Sequence, residues 1–181
     1  MLSLLEEQAQ AGHIDLYYGD ETRVSEEGYV PYGWQFVDEQ VYIASKRGRA
    51  MNYFGLLSRD NRLLYQASSK NITADFIITF LDELSMKVHK QTVIILDNAR
   101  VHTAKKVKAC LKVWQQRGLY VFYLPPYSPH LNIIERFWKE LKEGWIRPTD
   151  YQTDQHLFYA VDRALAAVGR ELSIKFKPYQ N

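Results

Sequence analysis

The stretch TVIILDNARVH, residues 92–102, decides the fold class. From Thr92 to Leu96 it runs through five β-favouring or apolar residues without alternation, the pattern of a strand covered on both faces in the parallel part of an α/β sheet. Asp97 ends the run. Downstream, Val107, Cys110, Leu111 and Trp114 recur at helical spacing, with Thr103 as a capping residue and Gly118 as the stop. LYVFYL, 119–124, then reads as a further buried strand.

Upstream, HIDLYYG, 13–19, alternates as a half-buried strand does, with Asp20 and Glu21 at its end. MNYFGLLS and RLLYQAS flank Arg59, Asp60 and Asn61, which predicts a hairpin with a short polar loop. A helix follows from Thr73, capped by Asn71 or Thr73, with Phe76, Ile77, Phe80, Leu81 and Leu84 on one stripe. Strand, hairpin, helix, strand, helix, strand, helix is the order of an α/β protein: a mixed sheet with helices against it. Between about Thr22 and Ala50, Gly28, Pro31, Gly33 and Gly48 surround a short run, VYIAS, which suggests an arm inserted into a single domain spanning 1–181. In the last third, Leu131, Ile134, Trp138, Leu141 and Trp145 share a helical stripe that Pro148 ends, and a final helix is expected over Asp154–Gly169.

Composition narrows the classes. No apolar run approaches the roughly 18 residues of a membrane span, and the acidic N-terminus lacks the basic start and apolar segment of a secretory signal. One cysteine, Cys110, offers neither an internal disulfide nor a zinc cluster and is expected to be buried, so a reducing cytoplasm is the expected location. Charge is uneven: residues 98–147 carry ten Lys or Arg against three acids, and residues 1–40 carry nine acids against one Arg. Such an excess suits a polyanion partner, although a solvated helix face has the same look.

Sharper chemistry comes from LPPYSPHLNIIERFW, Leu124–Trp138. Asn132, Glu135, Lys139 and Lys142 step by three and four, so Glu135 borders the apolar stripe of its helix, and the proline-stiffened PPYSP segment fixes where that helix begins. If the strands ending near Asp20 and Asp97 are parallel neighbours, both aspartates stand at one sheet edge, within reach of Glu135. Each acid alone would be an ordinary cap or turn residue. Together they repel one another unless a divalent cation neutralises them, and an all-oxygen set suits magnesium or manganese. Two such ions serve phosphodiester chemistry, with basic side chains on the phosphates. Lys46, Arg47 and Arg49 form a compact basic turn, and Lys139 and Lys142 follow Glu135; solvation alone is the other reading of both groups. Glu21 should face away from Asp20. No GxxxxGK[ST] occurs, which removes a P-loop nucleotide hydrolase.

Four blocks, YYGDET (17–22), GYVPYGW (28–34), VIILDNARVH (93–102) and above all LPPYSPHLNIIERFW, resemble the catalytic domain of DDE-type transposases. The resemblance is to the mariner-like superfamily and its bacterial insertion-sequence branch. It implies a ribonuclease H-like fold shared with retroviral integrases, a mixed five-stranded sheet flanked by helices. It further implies Asp20, Asp97 and Glu135 as a triad holding two Mg2+ or Mn2+ ions, cleavage of transposon ends and strand transfer into target DNA, and a homodimer on DNA. By position, Asn98 and His102 would sit near the scissile phosphate and Asn132 would contribute to DNA contact. His102 could instead orient a ligand, cap the following helix or bond a carbonyl. Trp34 could serve a dimer or DNA contact, or pack the arm. Thirty-seven residues separate Asp97 from Glu135, slightly more than is usual in the superfamily, and Ile133 replaces its frequent proline. Asp20 comes almost at once, so the helix-turn-helix module expected in relatives is expected to be absent. A ribonuclease H-like nuclease acting on RNA or branched DNA, and an inactive DNA-binding remnant, are the alternative readings.

Overall fold

β4 (Thr92–Leu96) is buried at every residue and lies between β1 (Asp15–Ser25) and β5 (Leu119–Tyr123), parallel to both. The structure, a computed structural model, describes residues 1–26, 48–126 and 128–176. On the other side of β1, β2 (Ala50–Leu57) pairs antiparallel and carries β3 (Leu63–Ser68) as its hairpin partner, giving the order β3-β2-β1-β4-β5. Parallel neighbours need a crossover, and helices supply it: α2 (Ala74–Ser85) leads from β3 to β4 and α3 (Lys105–Gln116) from β4 to β5. This is the mixed five-stranded sheet with flanking helices expected from the sequence, consistent with the ribonuclease H-like fold.

Two cores follow from strand alternation. Tyr17, Ile94 and Leu96 pack with Ile77 and Leu81 of α2 and Val107 and Trp114 of α3. Leu16, Tyr18, Val93 and Ile95 face the opposite way, onto α1 (Leu2–Gln10), α4 (Ile133–Glu140) and α5 (Asp154–Ala167).

Several expectations need revision. Asp20 lies within β1 instead of after it, because β1 keeps pairing with β2 to Ser25 after its pairing with β4 has ended at Tyr18. Thr22–Ser25 and Ala50, expected in the arm, belong to the sheet, whereas VYIAS and Trp34 lie outside the described residues. Thr73 caps α2 by accepting from the Phe76 amide, but Ala104 holds the cap position of α3 without a side-chain bond. Thr103 is drawn into the preceding turn, donating to the Ala99 carbonyl at 3.0 Å. Cys110 is only partly buried. The stripe from Leu131 to Trp145 is α-helical only through Glu140, after which Leu141–Trp145 forms a π-helical turn. α1 was not anticipated; it buries Glu6 against Arg59, whose Nε lies 2.6 Å from Oε2, and the Tyr18 hydroxyl. The hairpin turn is held by Asn61 (φ 63), whose amide donates to the Ile174 carbonyl and whose Oδ1 accepts from the Ile174 amide, 3.1 and 2.7 Å. No described helix is long and apolar enough to cross a membrane.

Gly55 decides how closely α4 approaches the sheet. A Cβ there would lie 2.8 Å from Trp138 Cζ2 and 3.3 Å from Ile134 Cδ1. The indole of Trp138 is rigid and only 3% exposed, so it has nowhere to retreat. Gly55→Ala is expected to destabilise the fold by about 1–3 kcal/mol through overpacking, read as a lower denaturation midpoint at unchanged m-value.

Candidate active site

Register fixes the first two acids. Tyr18 stands opposite Ile95 in the parallel pair, so continuing the register by two residues sets Asp20 level with Asp97, which directly follows β4. Parity places both on the face of Tyr18 and Ile95, toward α4. The antiparallel partner of Asp20 is Gly55, the residue on which Trp138 rests.

Glu135 reaches them from the first turn of α4. Two side-chain bonds position that helix start. Asn132, at the N-cap position and 2% exposed, donates from Nδ2 to the Gly19 carbonyl at 3.2 Å, stitching α4 to β1 beside Asp20. Asn98 donates to the Leu124 carbonyl at 2.5 Å, and the Leu124 amide donates to the Leu96 carbonyl, so the chain entering PPYSP is tied to the end of β4. Ile133, Ile134, Phe137 and Trp138 are buried beneath, leaving Glu135 half-buried at the margin. It borders two clefts: one of about 220 Å³ lined also by Asp97, Asn98 and Pro125, and one of about 460 Å³ lined also by Asp20, Glu21, Lys139 and Lys142. A larger hollow, about 540 Å³, lies at the opposite end of β1. Its lining charges are matched within it, Arg62 with Asp15 and Asp60 and Lys90 with Asp15.

The acids crowd one another. Burial, then the charges of Glu21 and Asp97, push the Asp20 carboxyl up to about 7. Glu135 is raised by burial and by Asp97. Asp97 goes the other way, held below the ordinary carboxylate range by a 2.6 Å hydrogen bond from His102 Nδ1. His102 is fully buried, and its Nε2 lies 2.9 Å from Glu21 Oε2, an ion-pair contact. Burial alone would depress the imidazole, but its two carboxylate neighbours carry it up to about 9. Lys142 is lowered by burial despite the nearby Asp20.

Excess negative charge on hard oxygen donors fits Mg2+ or Mn2+, and a cation would relieve the strain that raises Asp20 and Glu135. Among the described residues no three acidic, His or Cys side chains close on a single point ready to hold an ion. Glu135 instead links the Asp97 cleft to the Asp20 cleft.

Of the predicted DNA contacts, Lys139 is solvent-facing beside Glu143, at 3.8 Å, and Lys142 lines the cleft of Asp20. Arg49 is exposed at the start of β2 and pairs with Asp154 at 3.5 Å. Lys46 and Arg47 lie outside the described residues. Asn132 and His102 are buried and engaged with protein groups, so neither presents a surface to DNA; Asn98 is exposed but spends its amide on Leu124. Sequence reasoning had no role for Glu21 or Gly55. Parity set Glu21 away from Asp20, but nothing local pointed to His102 as its partner; Gly55 carries no signal of its own.

The family model described as DDE superfamily endonuclease matches residues 15–157, which contain every element from β1 to the start of α5. The chain belongs to this family. The Mos1 mariner paired end complex with Mn is 19% identical at TM-score 0.60, covering 92% of this chain and 52% of that one. The catalytic core domain of BIV integrase, 17% identical at TM-score 0.52, covers 87% of this chain and 84% of that one. The simian T-cell lymphotropic virus intasome, in complex with PP2A regulatory subunit B56 gamma, gives TM-score 0.60 at 13% identity over 88% of this chain and 50% of that one. At these identities the likeness is one of fold, and the chain spans about half the length of the Mos1 and intasome chains. No curated protein sequence matches the chain.

The raised Asp20 makes stability pH-dependent. Its folded value of about 7 lies above the ordinary 3.8, so the folded state binds the proton more tightly. The stabilisation is full below the unfolded value and is lost as pH rises through the folded one. Without divalent ions, Asp20→Asn should therefore gain melting temperature over the parent at about pH 8 and little or none at about pH 4, measured by thermal unfolding.

Proposed function

We propose that the chain is a transposase catalytic domain that cleaves DNA ends and joins a freed 3′-hydroxyl to target DNA, with Asp20, Asp97 and Glu135 holding two divalent ions. The observation that carries this is the registration of Asp20 with Asp97 at one sheet edge, with Glu135 bordering the clefts that contain each. Bound Mg2+ or Mn2+ would supply Lewis-acid stabilisation of the phosphodiester and activation of the attacking oxygen. The chain's own residues do the rest. α4, anchored through Asn132 and packed on Gly55, fixes Glu135; Lys139 and Lys142 extend the same helical path toward phosphates; the clefts receive the strand. Arg49, beside the C-terminal end of β1, would add a phosphate contact, and the same role is proposed for Lys46 and Arg47. Phosphate contacts position a nucleic acid without reading sequence, so recognition of particular ends belongs to other parts of a longer assembly, and a homodimer on paired ends is part of this reading. The lone cysteine suits work in a reducing cytoplasm.

With labelled DNA ends, target DNA and Mn2+, the parent protein should give both cleaved and joined products. Asp97→Asn and Glu135→Gln should each lower both by more than about 100-fold, the upper end of what losing an outer-shell partner of a metal ligand costs. Cleavage of RNA without any joining would replace transposition by a ribonuclease H-like hydrolase.

Lys139→Ala and Lys142→Ala test the phosphate path separately. Each is expected to weaken DNA binding similarly across sequences and to reduce the slope of log affinity against log salt by about one, measured by salt titration of fluorescence anisotropy.

A further inference from the structure

His102 is left over by this reading: it is an acid–base group that is fully buried, and Glu21, at the border of the Asp20 cleft, lies against it. The turn after β4 folds back, with the His102 and Thr103 amides both donating to the Ala99 carbonyl at 3.0 Å, and this carries His102 beneath Asp97. Phe54 and Tyr123 hold the residue from two further sides. Phe54 packs edge-on against it with centroids 6.1 Å apart, and Phe54 is the cross-strand partner of Glu21. Tyr123 donates its hydroxyl to the His102 carbonyl at 2.9 Å, tying this backbone to β5, and each ring nitrogen lies against a carboxylate.

At Asp97 the bonds are lopsided. The Ala99 amide, at 3.0 Å, and His102 Nδ1, at 2.6 Å, both fall on Oδ1. Two donors on one oxygen stop the carboxylate rotating about its last bond and dedicate Oδ2 to the cleft that Asp97 shares with Glu135. Behind the imidazole, Glu21 closes the arrangement from β1, 2.9 Å from Nε2. Because Asp20 and Glu21 alternate across the strand, one faces α4 and the other faces His102 on the α3 side. A fully buried imidazole paired with two half-buried carboxylates is seldom the cheapest way to fill that space, since apolar replacements of similar volume are often neutral or stabilising. Its position directly behind a candidate metal ligand gives it a purpose, the one served where outer-shell partners orient metal-binding side chains.

We propose that His102, backed by Glu21, is a positioning residue that pins Asp97 Oδ1 and thereby aims Oδ2 into the metal-binding cleft. This rests on the reading of Asp97 as a metal ligand. His102 contacts neither the ion nor the DNA: it acts through Asp97, and Glu21 acts through His102.

The test is Mn2+ affinity of the full chain, measured by electron paramagnetic resonance of free Mn2+ in the absence of DNA. The variants are His102→Ala, His102→Asn, Glu21→Gln and, as a control, Asp97→Asn, each with folding checked by circular dichroism. Asn sets an amide donor close to the position of Nδ1 and so can restore the bond to Asp97. His102→Ala should weaken Mn2+ binding by about 10–100-fold. His102→Asn should recover most of that loss, and Glu21→Gln should weaken binding measurably while remaining folded. If His102→Ala does not fold, the other two variants carry the test. Parental affinity in Glu21→Gln together with His102→Asn as weak as His102→Ala, or parental affinity in every His102 and Glu21 variant while Asp97→Asn loses the ion, overturns the proposal. Parental affinity in Asp97→Asn removes the metal-ligand reading beneath it instead.

Discussion

Parallel pairing of β1 with β4, with Tyr18 opposite Ile95, is the constraint on which the site depends. Because side chains alternate along a strand, that register settles which face each acid occupies as well as how far along the sheet it stands. Asp20 and Asp97 meet at one edge because their strands run the same way; antiparallel strands would have set them at opposite ends. The helices α2 and α3, which make the parallel arrangement possible, also build the core on which Glu21 and His102 rest.

The second requirement is proximity between α4 and the sheet. It is met by subtraction: Gly55 gives up a side chain so that Trp138 can lie against the backbone beside Asp20. Asn132 then fixes the rotation of the helix by reaching the Gly19 carbonyl. Glu135 is therefore located by packing and one hydrogen bond on elements distant in sequence, which suits a group whose burial is unfavourable until a cation compensates it.

Much of this was legible in the sequence, for identifiable reasons. Uninterrupted apolar character marked β4, alternation marked β1, the polar triplet at 59–61 marked the hairpin, and three- and four-residue steps marked α4. These are local patterns with strong periodicity. What escaped depended on non-local pairing. The extension of β1 beyond Asp20 exists because β2 continues alongside it, and the ambiguous TRVS run carries no signal of that. α1 escaped because its buried acid, Glu6, looks like a surface residue until Tyr18 and Arg59 are brought to it. For His102 and Asn132 the resemblance suggests DNA contact by position, with ligand orientation or a cap as further readings of His102; burial gives both protein partners. The π-helical turn after Glu140 is likewise invisible to a stripe that reads equally well as continuous α-helix.

The dipeptide Asp20-Glu21 divides its two carboxylates between opposite sides of a single sheet, one beside α4 and one beside His102. Insertion or deletion of one codon anywhere between Leu16 and Asp20 would exchange their destinations, sending the first acid into the compartment of the imidazole and the second toward the clefts. Only a compensating bulge in the strand could take up such a change and leave both acids where they are.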